Sequence, residues 1–375
     1  MQQFLQQLIN GLSSGAIYAL IAVGYTMVYG VLRLINFAHG DVYMVGAMMG
    51  LYVASGKFSL GDVPIWAQPL GWLVVWAAVL CLLMVAKVRL PWWFLLIGQV
   101  FGAATLATGV AHFAAILFKD RKPDELPAWW VWLSFPTVLI SSMIVCGCLG
   151  FVIELLAYRP LRNQPRITSL ITAIGVSLFL MNGGQKIFGV NPQGFPTQLV
   201  FPVIERHPLL INTAGISLGT ADGIIIFATI ALMVALTYIV LYTRTGLALR
   251  AVSHRFDTAS LMGININRIV SFTFVLGSVL AAAAGVLIAL RSPKVEPLMG
   301  LMMGLKAFVA AVLGGIGNIA GAVAGGILLG LTEALVKGYF PRGSQYAEGV
   351  AFVILICVLL MKPSGLLGTN AVEKV

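Results

Sequence analysis

The chain has 375 residues, of which 59% are hydrophobic and only 10% charged. Soluble domains carry about 45–50% apolar and about 25% charged residues. With a mean hydropathy of +0.97, the composition excludes an ordinary soluble protein and specifies an integral membrane one. The formal net charge of +10 sits in short loops between apolar runs, the pattern that orients membrane proteins, so no nucleic-acid partner is expected.

The first Lys or Arg is Arg33, and the apolar stretch Leu8 to Leu32 is too long for a signal-peptide core, so it reads as a retained first span. Further apolar segments lie near 42–56, 70–86, 92–118, 136–157, 168–189, 221–243, 269–290, 301–316, 318–336 and 347–361. A helical crossing needs about 20 apolar residues. Several of these are shorter, and the pair 301–336 is compatible with two crossings or with a re-entrant hairpin. The expected fold class is therefore all-α: a polytopic transmembrane helical bundle of about 9–11 membrane segments, including a Gly-rich broken or re-entrant helix pair. Residues 1–375 form a single transmembrane domain in this reading. Cys81, Cys146, Cys148 and Cys357 all lie inside apolar runs and read as small buried hydrophobes, with neither a disulfide nor a metal expected.

Two loops fix the orientation. Tyr158 to Arg166 carries Arg159, Arg162 and Arg166 with no acid, and Arg244 to Arg268 carries four arginines against the single Asp257. Both are expected in the cytoplasm. Lys119 to Glu125 sums to zero charge and is followed by Trp129, Trp130 and Trp132, as befits an outer loop beside an aromatic belt. This count puts the N-terminus in the periplasm and the tail from Lys362 in the cytoplasm.

The segments able to carry chemistry are few. Leu313 to Gly330 contains seven glycines, and Gly315 to Ala320 superficially fits a dinucleotide fingerprint. That fingerprint needs a soluble βαβ unit and a downstream acid, which the apolar flanks rule out. Gly317, Gly321 and Gly325 are four apart, and Gly326 and Gly330 repeat the spacing, so tight helix packing is one reading. The other is that Gly314, Gly315, Gly317 and Asn318 break the helix near mid-membrane, where broken helices line transport pathways. Ionisable residues in apolar runs are costly and are functional candidates by default. Glu154 is expected to snorkel to the interface. Lys306 and Glu333 are favoured as a structural pair over a substrate contact. The polar break Asn36 to Asp41 includes His39 and Asp41, two apart and hence divergent on a helix, so a catalytic dyad is not expected and a capping or loop-ordering role is favoured. No G-x-x-x-x-G-K-[ST] loop occurs, so the chain does not itself bind nucleotide through a P-loop. No catalytic residues are assigned.

Several stretches together resemble one family. They are Gly15-Ala16-Ile17-Tyr18-Ala19-Leu20, Gly24 through Gly30, and Ile35-Asn36-Phe37-Ala38-His39-Gly40-Asp41. With them go Ala157-Tyr158-Arg159-Pro160-Leu161-Arg162, Ala173-Ile174-Gly175, Lys306-Ala307-Phe308 through Gly317, and the tail Pro363-Ser364-Gly365-Leu366-Leu367-Gly368. Their combination is similar to the LivH-type permeases of branched-chain amino-acid ABC importers. The resemblance implies a non-enzymatic inner-membrane permease that carries branched-chain or similar apolar amino acids. It also implies a second, LivM-type permease, two ATP-binding subunits holding ATP and Mg, a periplasmic substrate-binding protein, and lipid around the chain. Asp257-Thr258-Ala259-Ser260-Leu261-Met262-Gly263 resembles the E-A-A-x-x-x-G motif that docks such permeases on their ATPases, with Asp for Glu and Thr for the first Ala. Coupling is thereby expected from Asp257, Thr258, Ala259 and Gly263 in the loop 244–268. Related permeases carry urea, short amides or other small solutes, and a stand-alone secondary transporter is the alternative from another class. The chain departs from the family between Lys57 and Phe135, where two extra apolar runs are expected to form an inserted, lipid-facing hairpin.

Overall fold

The structure is a computed structural model and describes residues 2–55, 128–162, 164–197, 209–213, 216–362 and 364–368. The apolar runs at 70–86 and 92–118 and the loop 119–125 lie outside the described residues. Hairpin 57–135 lies outside them as far as residue 127, but its last residues belong to a helix that begins at Ala128.

The bundle is built from α1 (Gln2–Leu32), α2 (His39–Ser55), α3 (Ala128–Ile153), α4 (Arg166–Phe188) and α5 (Thr220–Tyr242). It continues with α6 (Arg244–His254), α7 (Phe256–Leu261), α8 (Ile266–Arg291), α9 (Met299–Gly314), α10 (Ile319–Tyr339) and α11 (Gly343–Met361). Among the described residues, seven helices are long and apolar enough to cross a membrane, and α9 is a shorter apolar one. The strands are minor: β1 (Gln193–Gly194) pairs with β4 (Lys294–Val295), and β2 (Leu209–Thr213) with β3 (Ile216–Gly219), both antiparallel. The fold is all-α, as its composition requires.

Lipid gives no hydrophobic drive for helix pairing, so association depends on close backbone approach at small residues. The core shows this directly. On α10, Gly326 meets Ala19 and Gly330 meets Gly15 of α1, while Gly321 and Gly325 face Gly314 and Ala310 of α9. The glycine stripe therefore serves two neighbours. Gly317 is not part of it: it lies in the turn before α10, with φ +97° and nothing against it. On α8, Gly285 packs on Tyr43 and Ala47, and Ala282 on Gly46 of α2.

The two ends of the bundle are chemically distinct. At one end α1 stops at Arg33, whose left-handed backbone (φ 53°) terminates a helix as a C′ residue does. The loops 158–166 and 244–268 meet at this end, where Arg162 Nη1 donates to Asn267 Oδ1 at 2.6 Å. The opposite end holds the start of α1, where Gln3 donates to the Gly338 carbonyl at 3.0 Å. Arg291–Asp222, an ion pair at 3.0 Å, joins the last turn of α8 to the first of α5. Both predicted cytoplasmic loops thus share one end with the tail residues 364–368, opposite the N-terminus.

Candidate functional sites

The basic end carries the segment read as the coupling motif. Thr243 caps α6 by accepting from the Gly246 amide at 3.1 Å, and Asn265 caps α8 by accepting from the Arg268 amide at 3.2 Å. Between them α7 is a single short helix. Asp257 and Thr258 stand on its first turn and Ala259 is buried beneath it, while Leu261 and Met262 are 86% and 78% exposed at its end. Gly263 closes the helix with φ +80°. Two large apolar side chains thus stand exposed on a segment flanked by capped helices. Beside it lies an open groove of about 740 Å³ lined by Leu34, Arg159, Arg162, Asp257, Ser260 and Asn265.

Under that groove sits a cluster that contradicts one expectation. Glu154 does not snorkel: its side chain is fully buried. It accepts from Arg159 Nη2 at 2.9 Å, from Arg162 Nη2, and from the Ser271 hydroxyl at 2.7 Å. The reason is local. α3 loosens into a π-turn over Glu154–Tyr158, closed by the Arg159 amide on the Glu154 carbonyl. That extra residue swings Arg159 back over the carboxylate. π-turns are rare and concentrate at functional sites. The spacing of one acid followed by Arg at +5 and +8 was the available signal.

The glycine break is real but misplaced by the sequence reading. Backbone φ values of +107° at Gly315 and +97° at Gly317 end α9 and turn the chain into α10, and only glycine takes such angles without strain. The turn lies near Gly30, at the basic end rather than mid-membrane. Asn318 caps α10 by accepting from the Gly321 amide at 3.2 Å, and its Nδ2 donates to the Leu367 carbonyl at 2.9 Å. The Leu366 and Leu367 amides bond the Leu313 and Gly314 carbonyls at 2.9 Å. The tail therefore packs directly onto the break.

The discontinuities at mid-height are elsewhere. His39, first residue of α2, packs against Gly24 and Gly277, and Gly277 lies halfway along α8 (Ile266–Arg291). From there α2 climbs beside α8 past Ala282 to Val286. The first turn of α9 touches the same place, since Gly300 meets Gly40 and Asp41. α9 then runs the other way, to the basic end. Two helices of 17 and 16 residues thus begin in mid-bundle and diverge. Asn36, His39 and Asp41 separate at this junction. Asn36 accepts from the Tyr158 hydroxyl at 2.7 Å, His39 stands edge-on to Tyr25 with centroids 4.7 Å apart, and Asp41 accepts from the Ser177 hydroxyl of α4. Each of the three thus has a different partner.

Lys306 and Glu333 do pair, at 3.0 Å. The Tyr18 hydroxyl donates to Glu333 at 2.5 Å, and Lys337 donates to it at 2.8 Å. The carboxylate is thus saturated by three elements, α1, α9 and α10, which fits a structural role.

The branched-chain amino acid transport system permease component family matches residues 7–118 and 93–359. The chain is 35% identical over 372 residues to the high-affinity branched-chain amino acid transport system permease protein LivH of Escherichia coli K12, covering 99% of this chain and 98% of that one. It is 37% identical to the corresponding protein BraD of Pseudomonas aeruginosa, with the same coverage. A ribose import permease, RbsC of Haemophilus influenzae, is 28% identical over 63% of this chain and 69% of its own length. No solved structure matches. A helical bundle with this break pattern, matched end to end by such permeases, belongs to the branched-chain amino acid transport permease family.

Proposed function

We propose that the chain is the membrane permease subunit of an ATP-driven importer that carries branched-chain amino acids across the bacterial inner membrane. The observation that carries the reading is identity above one third, along essentially the whole chain, to permeases named for that transport. Partners follow from the same reading: a second LivM-type permease, two ATP-binding subunits that hold ATP and Mg, and a periplasmic binding protein. The basic end faces the cytoplasm, on the bias of Lys and Arg to that side, which leaves the N-terminus periplasmic. A stand-alone secondary transporter is disfavoured by the same end-to-end identity to permeases named as parts of a transport system. The test is uptake of labelled leucine, isoleucine and valine in cells with and without the gene. A defect restored by the intact gene supports the reading. A defect confined to urea or an amide keeps the permease and discards the substrate.

The tip of α7 transmits ATPase closure to the bundle as a rigid-body movement. A Cβ on Gly263 would meet nothing within 4 Å, so a bulky residue there costs this chain only left-handed backbone strain, about 1–3 kcal/mol. Gly263→Trp is therefore expected to insert normally yet lower uptake by roughly tenfold or more, a change of about 1.4 kcal/mol or more at the docking surface. Uptake at the wild-type rate would remove the coupling role.

The part of the insertion 57–135 that lies outside the described residues, as far as residue 127, is proposed to be dispensable to the bundle. The boundary excludes α3, because Ser134 is buried against the core. A chain with 58–126 replaced by a short Gly/Ser linker is expected to insert and assemble, as scored by membrane fractionation. Failure to insert would place the segment in the core.

A further inference from the structure

The junction where α2 and α9 begin holds a carboxylate that the coupling reading does not use. Asp41 is 2% exposed, and a buried charge in a membrane is ordinarily met by an opposite one. Among the described residues no Lys, Arg or His forms an ion pair with it; its bonded partner is the Ser177 hydroxyl. Among the described residues the other two buried acids are each met by two cationic side chains, Glu154 by Arg159 and Arg162 and Glu333 by Lys306 and Lys337. Asp41 is therefore the exception.

Its surroundings are built for an anion that retains bonding capacity. Helix N-termini carry a partial positive charge of about half a unit each, and two of them converge here. Gly300 presents no side chain, and a Cβ on it would lie 3.0 Å from Asp41 Oδ1. Gly40, Gly300 and Gly304 let the two helix starts meet backbone to backbone, a Cβ on Gly40 falling on the Gly300 carbonyl oxygen, and the Tyr25 hydroxyl is 3.3 Å from a Cβ on Gly304. The helix that covers Asp41 is α4, the one bearing Ser177. Its outer face is bare of protein contact, with Ile171 64% and Phe179 76% exposed. Discontinuous helices whose ends meet at mid-membrane are where transporters hold their substrates.

We propose that Asp41 receives the α-ammonium group of the amino acid in transit. The inference rests on the amino-acid reading above and names the recognition site for it. A zwitterion crossing an apolar bundle must shed water from both charges, and this junction offers a fixed anion for the positive one. An apolar side chain then needs only the surrounding hydrocarbon.

The test uses the full chain in its assembled complex, without binding protein, treated with a membrane-permeant carbodiimide and mapped by mass spectrometry. Leucine and isopentylamine, which both bear an ammonium, are expected to protect Asp41 from modification. The leucine analogue 2-hydroxy-4-methylpentanoate, which lacks it, is expected not to. Equal protection by the hydroxy acid, no protection by leucine, or no modification of Asp41 overturns the proposal. In cells, Asp41→Asn is expected to lower uptake by roughly tenfold or more, the effect of losing one charge-assisted hydrogen bond, with the membrane level of the chain unchanged. Uptake by the wild-type chain reports separately on the branched-chain reading. If it carries a different ammonium-bearing solute, that solute replaces leucine in the protection assay. If it carries none, both readings fall.

Discussion

Glu154→Ala is expected to destabilise the chain by about 3–5 kcal/mol, the cost of leaving a buried ion pair half-empty. Two guanidiniums converge on this one carboxylate, with side chains only 28% and 15% exposed. Removing it leaves them facing each other and leaves the Ser271 hydroxyl only the Asn267 carbonyl to donate to. Glu154→Gln keeps part of the hydrogen bonding and is expected to cost less. Adding Arg162→Gln to Glu154→Gln should recover part of the loss, because it removes one of the stranded charges; coupling of that sign is what contacting residues show. The measurement is the midpoint of thermal aggregation in detergent extract, together with the amount of chain in the membrane. An alanine variant with a wild-type midpoint would mean that the cluster is solvated and contributes nothing. The cluster also ties the π-turn of α3 to α8 directly above the α7 tip, so the glutamine variant is the one in which to look for uptake lost at normal membrane level.

The sequence carried the architecture because membrane helices must satisfy their own backbone and be apolar over a fixed length. The runs 168–189, 221–243 and 269–290 therefore match α4, α5 and α8 to within a few residues. The Lys306–Glu333 pair and the divergence of His39 and Asp41 followed from charge in hydrocarbon and from helical spacing. Depth was the part that could not be read. Glycines mark where a chain turns or packs, and only tertiary packing says at what height. The break at Gly314–Asn318, placed near mid-membrane in one of two readings of these glycines, lies at the basic end, where the tail packs onto it. The mid-height break, at His39 and Met299, has weaker local signals because α2 and α9 read as merely short spans. Glu154 was misjudged for a related reason. Snorkelling assumes a regular helix, and the π-turn that turns Arg159 and Arg162 onto it is invisible to a 3.6-residue period.

Gly330→Leu is expected to abolish accumulation of the chain in the membrane, and Gly330→Ala to lower it severely. A Cβ at this position would fall on the backbone N and Cα of Gly15, with the Gly11 carbonyl oxygen 2.6 Å away. None of these atoms belongs to a side chain that can rotate aside, so α1 and α10 must separate. Overpacking that displaces side chains costs about 1–3 kcal/mol. Here whole helices must part, and the van der Waals attraction that holds two membrane helices together falls away as their backbones separate. The damage extends beyond one interface, because α10 also seats α9 through Gly321 and Gly325 and carries Glu333, which α1 reaches through Tyr18. Gly175→Ala and Gly183→Ala provide the control. A Cβ at either meets nothing within 4 Å, and alanine is the better helix former by about 1 kcal/mol, so both are expected to accumulate at least as well as wild type. Immunodetection of membrane fractions separates the outcomes. If Gly330→Ala accumulates as the two controls do, the α1–α10 crossing is looser than its backbone packing requires, and the stripe has a role other than packing.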